Sequence, residues 1–357
     1  MIKTVKIVKL DFTSPLHIGE VGIGLEENSL VLHSDTIFNA ICNSLAKLYG
    51  REWVTKFLQN FSENVPFRIS SGFPFIKETL YFPKPMNQAN IEENLLQDYS
   101  KKLKKTTYLT QKFFEKWIAE ERLFKKDLNA ITESKTTKSE DSEELSKTDI
   151  NEIKDNKNTA VRGDIFSEFK KDLLLPKVSV SRENAESSIY FLGSIRFNED
   201  SGIWFILDCD DEDCEKKVIS ALRLLQHDGI GGKRTWGYGN FSMEVKNIEL
   251  KVPDSKTYLL LSLFYPKDDE NENESGLFSS ERARWGFSLR GGYAYPYGSK
   301  SSFHKPQRLF IKEGSIFEKA PKGKLIKDAT NLDGLEKLYH YGLAYSIPIS
   351  ISGGENT

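Results

Sequence analysis

The sequence predicts an α+β fold of the order strand, helix, two extended runs, and then, after a long polar insertion, strand, helix and strand. Three observations carry this. The first ten residues alternate apolar and charged side chains, the period of a half-buried strand. Residues 34–50 and 213–226 repeat apolar side chains at helical spacing, as a helix lying on a sheet does. Five glycines, Gly229, Gly231, Gly232, Gly237 and Gly239, then separate the second helix from a last extended run.

Taken in order, the first strand places Val8, Leu10 and Phe12 on one face, and the chain loosens into a loop or hairpin from Ser14 through Gly19 to Gly24. Ser34 or Asp35 is placed to cap the helix that follows, whose stripe is Ile37, Phe38, Ile41, Leu45 and Leu48, and Gly50 to stop it. Two short extended runs, around Phe67 and around residues 79–82, are separated by Gly72 and Pro74. Residues 203–208 read as a strand, and Val218, Ile219, Leu222 and Leu225 give the second helix its stripe. With a final strand after the glycines the order is that of βαββαβ, the ferredoxin-like arrangement, with one extended run in excess.

An insertion at about residues 84–175 divides the two halves of this unit. Its first part, Lys101 to Ile131, carries Phe113, Phe114, Trp117, Ile118 and Phe124 amid Lys and Glu, and reads as one or two amphipathic helices whose aromatics serve a core. Residues 135–158 are almost entirely Lys, Glu, Asp, Ser, Thr and Asn, too polar to offset the entropy of ordering them, and are expected to be disordered. Residues 178–182 and 189–197 read as a β-hairpin with an acidic tip, Glu183-Asn-Ala-Glu186. Residues 251–255, with Pro253, read as the join between a domain at 1–250 and a second at 251–357. The second domain opens with a strand at 258–265 and closes at 341–349, and its acidic run at 268–274 reads as a loop tip. The segment from Arg290 through Gly291 and Gly292 to Lys300 reads equally as a long loop or as an RNA or protein contact.

Composition narrows the function. A chain of 357 residues suits two domains. Its 50 basic and 52 acidic side chains leave a net charge of −2, which excludes a generally basic nucleic-acid binder and makes any RNA contact local. No apolar run approaches the roughly 18–20 residues of a membrane span, and the N-terminus lacks the apolar stretch of a signal peptide. The three cysteines, Cys42, Cys209 and Cys214, form no CxxC pair, so neither a disulfide framework nor a zinc site is implied, no cofactor is called for, and a cytoplasmic location is expected.

The run Gly229-Ile-Gly-Gly-Lys-Arg-Thr-Trp-Gly-Tyr-Gly-Asn-Phe241 is the most informative segment. Glycines at 229, 231 and 232 allow positive φ and close approach, so that successive N–H groups can converge on phosphate oxygens, and Lys233 and Arg234 add charge there. From Trp236 the pattern turns to period two, which predicts a strand leaving the loop and offers Trp236 or Tyr238 for stacking on a splayed base. A Walker loop requires Lys followed by Ser or Thr entering a helix. A dinucleotide fingerprint requires strand before glycines and helix after; here the order is reversed. A plain helix-to-strand turn would need the glycines but not the Lys-Arg pair.

This segment resembles the glycine-rich loop of the RAMP superfamily of CRISPR proteins at every fixed position from Gly229 to Phe241. Three further stretches, Leu32-His-Ser-Asp-Thr-Ile-Phe-Asn-Ala40, Gly72-Phe-Pro-Phe with Leu80-Tyr-Phe-Pro-Lys-Pro85, and Tyr339-His-Tyr-Gly-Leu-Ala-Tyr-Ser-Ile-Pro348, are similar to the Cas5-like group that supplies the fourth subunit of type III-A Csm effector complexes. The resemblance implies a second, degenerate ferredoxin-like (RRM-like) domain and makes the hairpin a thumb against guide or target RNA, a role its acidic tip does not favour. It implies a non-catalytic RNA-binding subunit in antiviral defence. Such a subunit holds the 5′ repeat-derived tag of the crRNA, meets target RNA only indirectly, docks the large signature Cas subunit and starts the filament of backbone RAMP subunits. RNA contacts are then expected at His17, Gly19, Ser34, Gly229, Gly231, Gly232, Lys233, Arg234, Thr235, Trp236, Gly237, Tyr238 and Gly239, with Arg182, Arg290, Gly291 and Gly292 as RNA or protein contacts.

The alternatives are a guide-processing endoribonuclease of the related group and a purely architectural subunit. RNA cleavage through the 2′-OH needs proton transfer at the attacking and leaving oxygens. The histidines His17, His33, His227, His304 and His340 show no pair at metal spacing, and His17, beside a loop, is the candidate general base; a hydrogen bond to phosphate or base is its other reading. Asp35 reads as a helix-start residue favoured by capping and the helix dipole.

Overall fold

Both faces of the first strand are apolar, and the architecture follows from covering them. The computed structural model describes residues 1–19, 24–61, 64–132, 161–162, 169–181, 183, 186–271, 276–294, 297, 303–332 and 335–351. In chain order the first part contains β1 (Ile2–Phe12), α1 (Ser34–Tyr49), α2 (Arg51–Asn60), β2 (Phe67–Ile69), β3 (Phe73–Ile76) and β4 (Thr79–Pro83). The insertion adds α3 (Glu93–Lys105), β5 (Thr106–Thr110), α4 (Gln111–Ile118), α5 (Lys125–Thr132) and β6 (Val161–Arg162). Then come β7 (Lys170–Val180), β8 (Ser187–Phe197), β9 (Ser201–Cys209), α6 (Glu212–Asp228) and β10 (Phe241–Lys251).

β1 pairs antiparallel with β10 along its whole length, from Ile2 opposite Lys251 to Phe12 opposite Phe241, and with β9 on its other edge. The sheet runs β10-β1-β9-β3-β4-β5-β6, with β2 also on β9. The strands of the βαββαβ unit therefore lie in the order fourth, first, third, second. β2 and β3 are one strand broken at residues 70–72, since the register on β9 shifts by one residue between Ile69 opposite Leu207 and Phe73 opposite Trp204. At the break, the Ser71 N–H turns to the Leu261 carbonyl (2.8 Å) and the Gly72 N–H to that of Leu32 (2.7 Å).

Val8, Leu10 and Phe12 face a core shared with Phe38, Ile41 and Leu45 of α1 and Val218, Leu222 and Leu225 of α6. Val5 and Ile7 face the opposite way, where the insertion helices and, beyond residue 251, Leu259, Leu261, Ile347 and Ile349 cover the sheet. The second half thus packs onto the same sheet as the first. Phe113, Phe114, Trp117 and Ile118 are buried, with Phe114 stacked on Phe82 at 4.4 Å, whereas Phe124 is exposed. β5 falls within the stretch read as helical, because its threonines and Tyr108 favour a pleated surface and pair with β4.

β7 and β8 form a hairpin of eleven paired positions, Lys170 opposite Phe197 to Val180 opposite Ser187, longer at its base than the sequence pattern indicates. Residues 135–158 and Arg182, about which expectations were stated above, lie outside the described residues. After residue 251, β11 (Tyr258–Leu260) is flanked by β16 (Ile316–Phe317) and β19 (Ser346–Pro348), while β12 (Phe287–Arg290) pairs with β15 (Arg308–Ile311), β13 (Tyr293–Ala294) with β14 (Phe303–His304), and β17 (Gly323–Leu332) with β18 (Leu335–Leu343). Among the described residues of this half the helical structure is one four-residue turn, α7 (Asp268–Asn271). It opens the acidic run read as a loop tip, and its Glu270 carboxylate accepts from the N–H groups of Lys267, Lys322 and Gly323, so this turn is anchored.

Candidate nucleic-acid interface

α6 delivers the glycine loop. Asp211 caps its start by accepting from the Cys214 N–H at 2.7 Å, and the helix stops at Gly229, whose φ is 75°. The loop then folds on its own chain. The N–H groups of Gly229, Ile230, Gly232, Trp236, Gly237 and Gly239 donate to the carbonyls of Leu225, Gly239, His17, Lys233, Arg234 and Pro15 respectively, at 2.8–2.9 Å. This corrects the expectation of a phosphate nest at Gly229 and Gly232, whose N–H groups find their partners within the protein. A Cβ on Gly239 would overlap the Ile230 carbonyl, and one on Gly229 the Tyr238 carbonyl. These glycines permit close approach of protein to protein.

The strand expected from Trp236 is also corrected. Lys233, Gly237 and Gly239 have φ of 60°, 78° and 76°, outside the strand region, so a 3₁₀ turn spans Arg234–Trp236 and β10 begins at Phe241. Tyr238 is buried and is no stacking platform; Trp236 remains 47% exposed. The ammonium groups of Lys233 and of Lys177 on β7 lie 4.8 and 5.4 Å from the Trp236 ring centre, within cation–π range, so the outer part of the hairpin and the glycine loop meet at this indole.

Gly239→Ala should cost about 2–4 kcal/mol, combining left-handed strain with the collision at Ile230. Gly237→Ala, with φ 78° but open space around the added carbon, should lose about 1–2 kcal/mol from the backbone alone. Urea unfolding of the two variants checks the difference, and equal losses would refute the packing role of Gly239.

His17 is buried, with Nδ1 2.8 Å from the Gly193 carbonyl of β8. Nδ1 therefore carries the proton and Nε2 is the acceptor in the neutral ring. The His17 carbonyl receives the Gly232 N–H, so one residue ties hairpin to glycine loop.

A groove of about 1810 Å³ unites these elements, larger than the roughly 300–1,000 Å³ that holds a small molecule. One wall is His17, Gly19 and the loop residues Gly231, Gly232, Lys233, Arg234, Thr235 and Trp236; α1 and α2 contribute Asn39, Asn43, Lys47 and Arg51; the other half of the chain contributes Arg290, Gly291, Gly292, Tyr293, His304 and Lys305. Gly229, Gly237, Tyr238 and Gly239 do not line it. Nor does Ser34, which is fully buried, its hydroxyl accepting from the Leu263 N–H (3.1 Å) and its own N–H donating to Ser71 (2.9 Å). An RNA contact at Ser34 is therefore corrected to a tie between the halves.

Neither Ser34 nor Asp35 caps α1 through its side chain; His33 occupies the N-cap position. Asp35 is instead buried against Arg290, whose Nε and Nη2 each reach a carboxylate oxygen at 3.0 Å. Burial raises the Asp35 pKa, but Arg290, with His33 and Lys305, more than offsets this and brings it to about 2. His33 Nδ1 lies 2.9 Å from Glu313 Oε1, and although burial favours the neutral acid, the interaction with His33 holds the Glu313 carboxyl below its ordinary range. The Lys305 ammonium is buried, which lowers its pKa, and donates to the Tyr339 carbonyl at 3.0 Å. Sequence reasoning missed this seam and also Lys177 and Lys305, while Tyr293 lies within the segment from Arg290 to Lys300 that it left as a loop or a contact. The run His33-Ser-Asp-Thr was its only local signal, and the partners come from more than 200 positions away.

Among the described residues no group of three His, Cys, Asp or Glu could hold a metal ion, and no helix is long and apolar enough to cross a membrane. Residues 9–242 match the family model described as the RAMP superfamily. The chain belongs to the RAMP superfamily. Residues 253–349 of this RAMP protein match the model described as the CRISPR Csm4 C-terminal domain. It is similar to the "CRISPR system Cms protein Csm4" of Thermococcus onnurineus (strain NA1), 27% identical over 329 residues, covering 90% of this chain and 92% of the relative. It is also similar to the protein of the same name from Methanocaldococcus jannaschii, 27% identical over 337 residues with 87% and 84% covered. Its fold is shared with a chain of the crystal structure of the Csm3-Csm4 subcomplex in the type III-A CRISPR-Cas interference complex, at TM-score 0.61 and 22% identity, with 97% and 100% covered. A chain of the Csm1-Csm4 cassette in complex with cA4 gives TM-score 0.58 at 22% identity, with 99% and 100% covered.

Proposed function

We propose that the chain is the Csm4-type RNA-binding subunit of a cytoplasmic type III-A CRISPR effector complex and that it holds the 5′ repeat-derived tag of the crRNA without cleaving it. The observation that carries this reading is the groove itself, in which the cationic glycine loop, His17 and Arg290, Gly291 and Gly292 of the other half line one trough. On a chain of net charge −2, such local placement of cations suits a single strand lying along one groove. Lys233 and Arg234 pair with tag phosphates, Trp236 stacks on a splayed base, and His17 Nε2 accepts from a 2′-OH or a base. The assemblies with Csm1 and Csm3 described for the structural relatives support a large signature subunit and a backbone RAMP subunit as partners, with target RNA met through the guide. We read the strand-built second half as a degenerate ferredoxin-like unit docked on the first.

Binding without cleavage rests on the surroundings of His17. Cleavage needs groups at both the attacking and the leaving oxygen, and His17, whose Nδ1 is held by the Gly193 carbonyl, offers only Nε2 to the groove. His17→Ala should weaken tag binding and leave single-turnover cleavage of guide precursor and target RNA by the complex unchanged. A rate loss of about 10²–10⁴-fold with intact affinity would instead make the chain an endoribonuclease.

A further inference from the structure

The side of the groove contributed by the second half carries an aromatic pair to which the reading above gives no task. β13 and β14 form a ribbon of two paired positions, Tyr293 opposite His304 and Ala294 opposite Phe303. Tyr293 is 77% exposed, more than any other large apolar side chain among the described residues. Its ring meets that of His304 edge to face, with centres 5.2 Å apart and planes at 80°, and both residues line the groove. The ribbon is held from behind. The Lys305 ammonium donates to the Tyr339 carbonyl at 3.0 Å, Arg290 is clamped by Asp35, and the Tyr297 N–H donates to Asn43 of α1 at 3.0 Å.

A lone exposed tyrosine needs no explanation. A tyrosine whose orientation is set by a second ring, on a ribbon anchored at three points, within a groove that also holds a half-exposed tryptophan, presents a pre-oriented π-face at little entropic cost. Stacking on such a face is how single strands are held without sequence readout.

We infer that Tyr293, oriented by His304, is a stacking platform for an unpaired RNA base, a second platform besides Trp236, so that one strand is gripped by both halves of the chain. This rests on the RNA-binding role proposed above. The full chain is titrated with fluorescein-labelled single-stranded octaadenylate and with an octamer of the same backbone carrying abasic sites. Tyr293→Ala should weaken octaadenylate binding about 5- to 150-fold, the range for loss of one base–aromatic stack, with no change in salt dependence and little effect on the abasic probe. Tyr293→Phe, which keeps the ring, should bind as the parent does. Equal weakening of both probes by Tyr293→Ala, or of neither, overturns the inference. If Lys233→Ala with Arg234→Ala weakens binding while Tyr293→Ala does not, the platform is refuted and the RNA role stands. Absence of binding to either probe by the parent chain overturns both.

Discussion

Arg290→Ala should destabilise the protein by about 3–5 kcal/mol, the cost of leaving a buried charge without its partner. Asp35 is 6% exposed, and Arg290 reaches both of its oxygens at 3.0 Å. The variant has a pH signature that simple loss of packing lacks. In the parent, burial raises the Asp35 pKa but the Arg290 interaction outweighs it, giving about 2 against roughly 3.9 in the unfolded chain. The stability from this group is therefore fully present above about pH 4 and is lost as pH falls toward 2. Without Arg290, burial is opposed only by His33 and Lys305, so the folded pKa rises from its value in the parent. The deficit of the variant is then largest at neutral pH and shrinks on acidification, as the buried carboxyl takes up its proton. Adding Asp35→Asn should recover part of the loss. Denaturant unfolding of parent, single and double variants at pH 7 and pH 5 measures this, and a deficit under about 1 kcal/mol, the worth of an ordinary exposed pair, would remove the pair from the seam.

Lys233→Ala with Arg234→Ala should weaken guide retention about 10²- to 10⁴-fold at low salt, with each charge-assisted contact contributing about 1.5–3 kcal/mol. Each lost phosphate contact should also flatten the plot of log K against log salt by about 0.7. Both side chains are only partly buried and fold stability should survive. Titration of labelled tag RNA at several salt concentrations reads both quantities, and an unchanged slope removes the two residues from the phosphate site.

Local periodicity made much of this molecule legible. The alternation along β1, the stripes of α1 and α6 and the aromatics of α4 each record a face that must be buried, so the βαββαβ order could be read from residue spacing. The site was legible only in part. His17 and the Lys-Arg pair do line the groove, but Gly229, Gly237, Tyr238 and Gly239 do not, because a glycine demanded by close approach looks the same in sequence whether the approaching atom belongs to a ligand or to Ile230. The alternating Trp236, Tyr238 and Asn240 imitate a strand, yet positive φ at Gly237 and Gly239 forbids one. Ser34 and Asp35 look like caps because they start a helix. Their actual partners, Leu263 and Arg290, lie 229 and 255 positions along the chain, where no local pattern reaches. Tyr293 carried no periodic signal at all.

The central claim, that the tag of the guide lies in this groove, is tested most directly by photocrosslinking. An assembled complex carrying a guide with 4-thiouridine at single tag positions is irradiated, and the crosslinked peptides are identified by mass spectrometry. Crosslinks from tag positions to peptides containing Lys233, Arg234 and Trp236, and from at least one other tag position to the peptide containing Tyr293, are the predicted result. Tag crosslinks confined to other subunits, or to surfaces of this chain outside the groove, would contradict it.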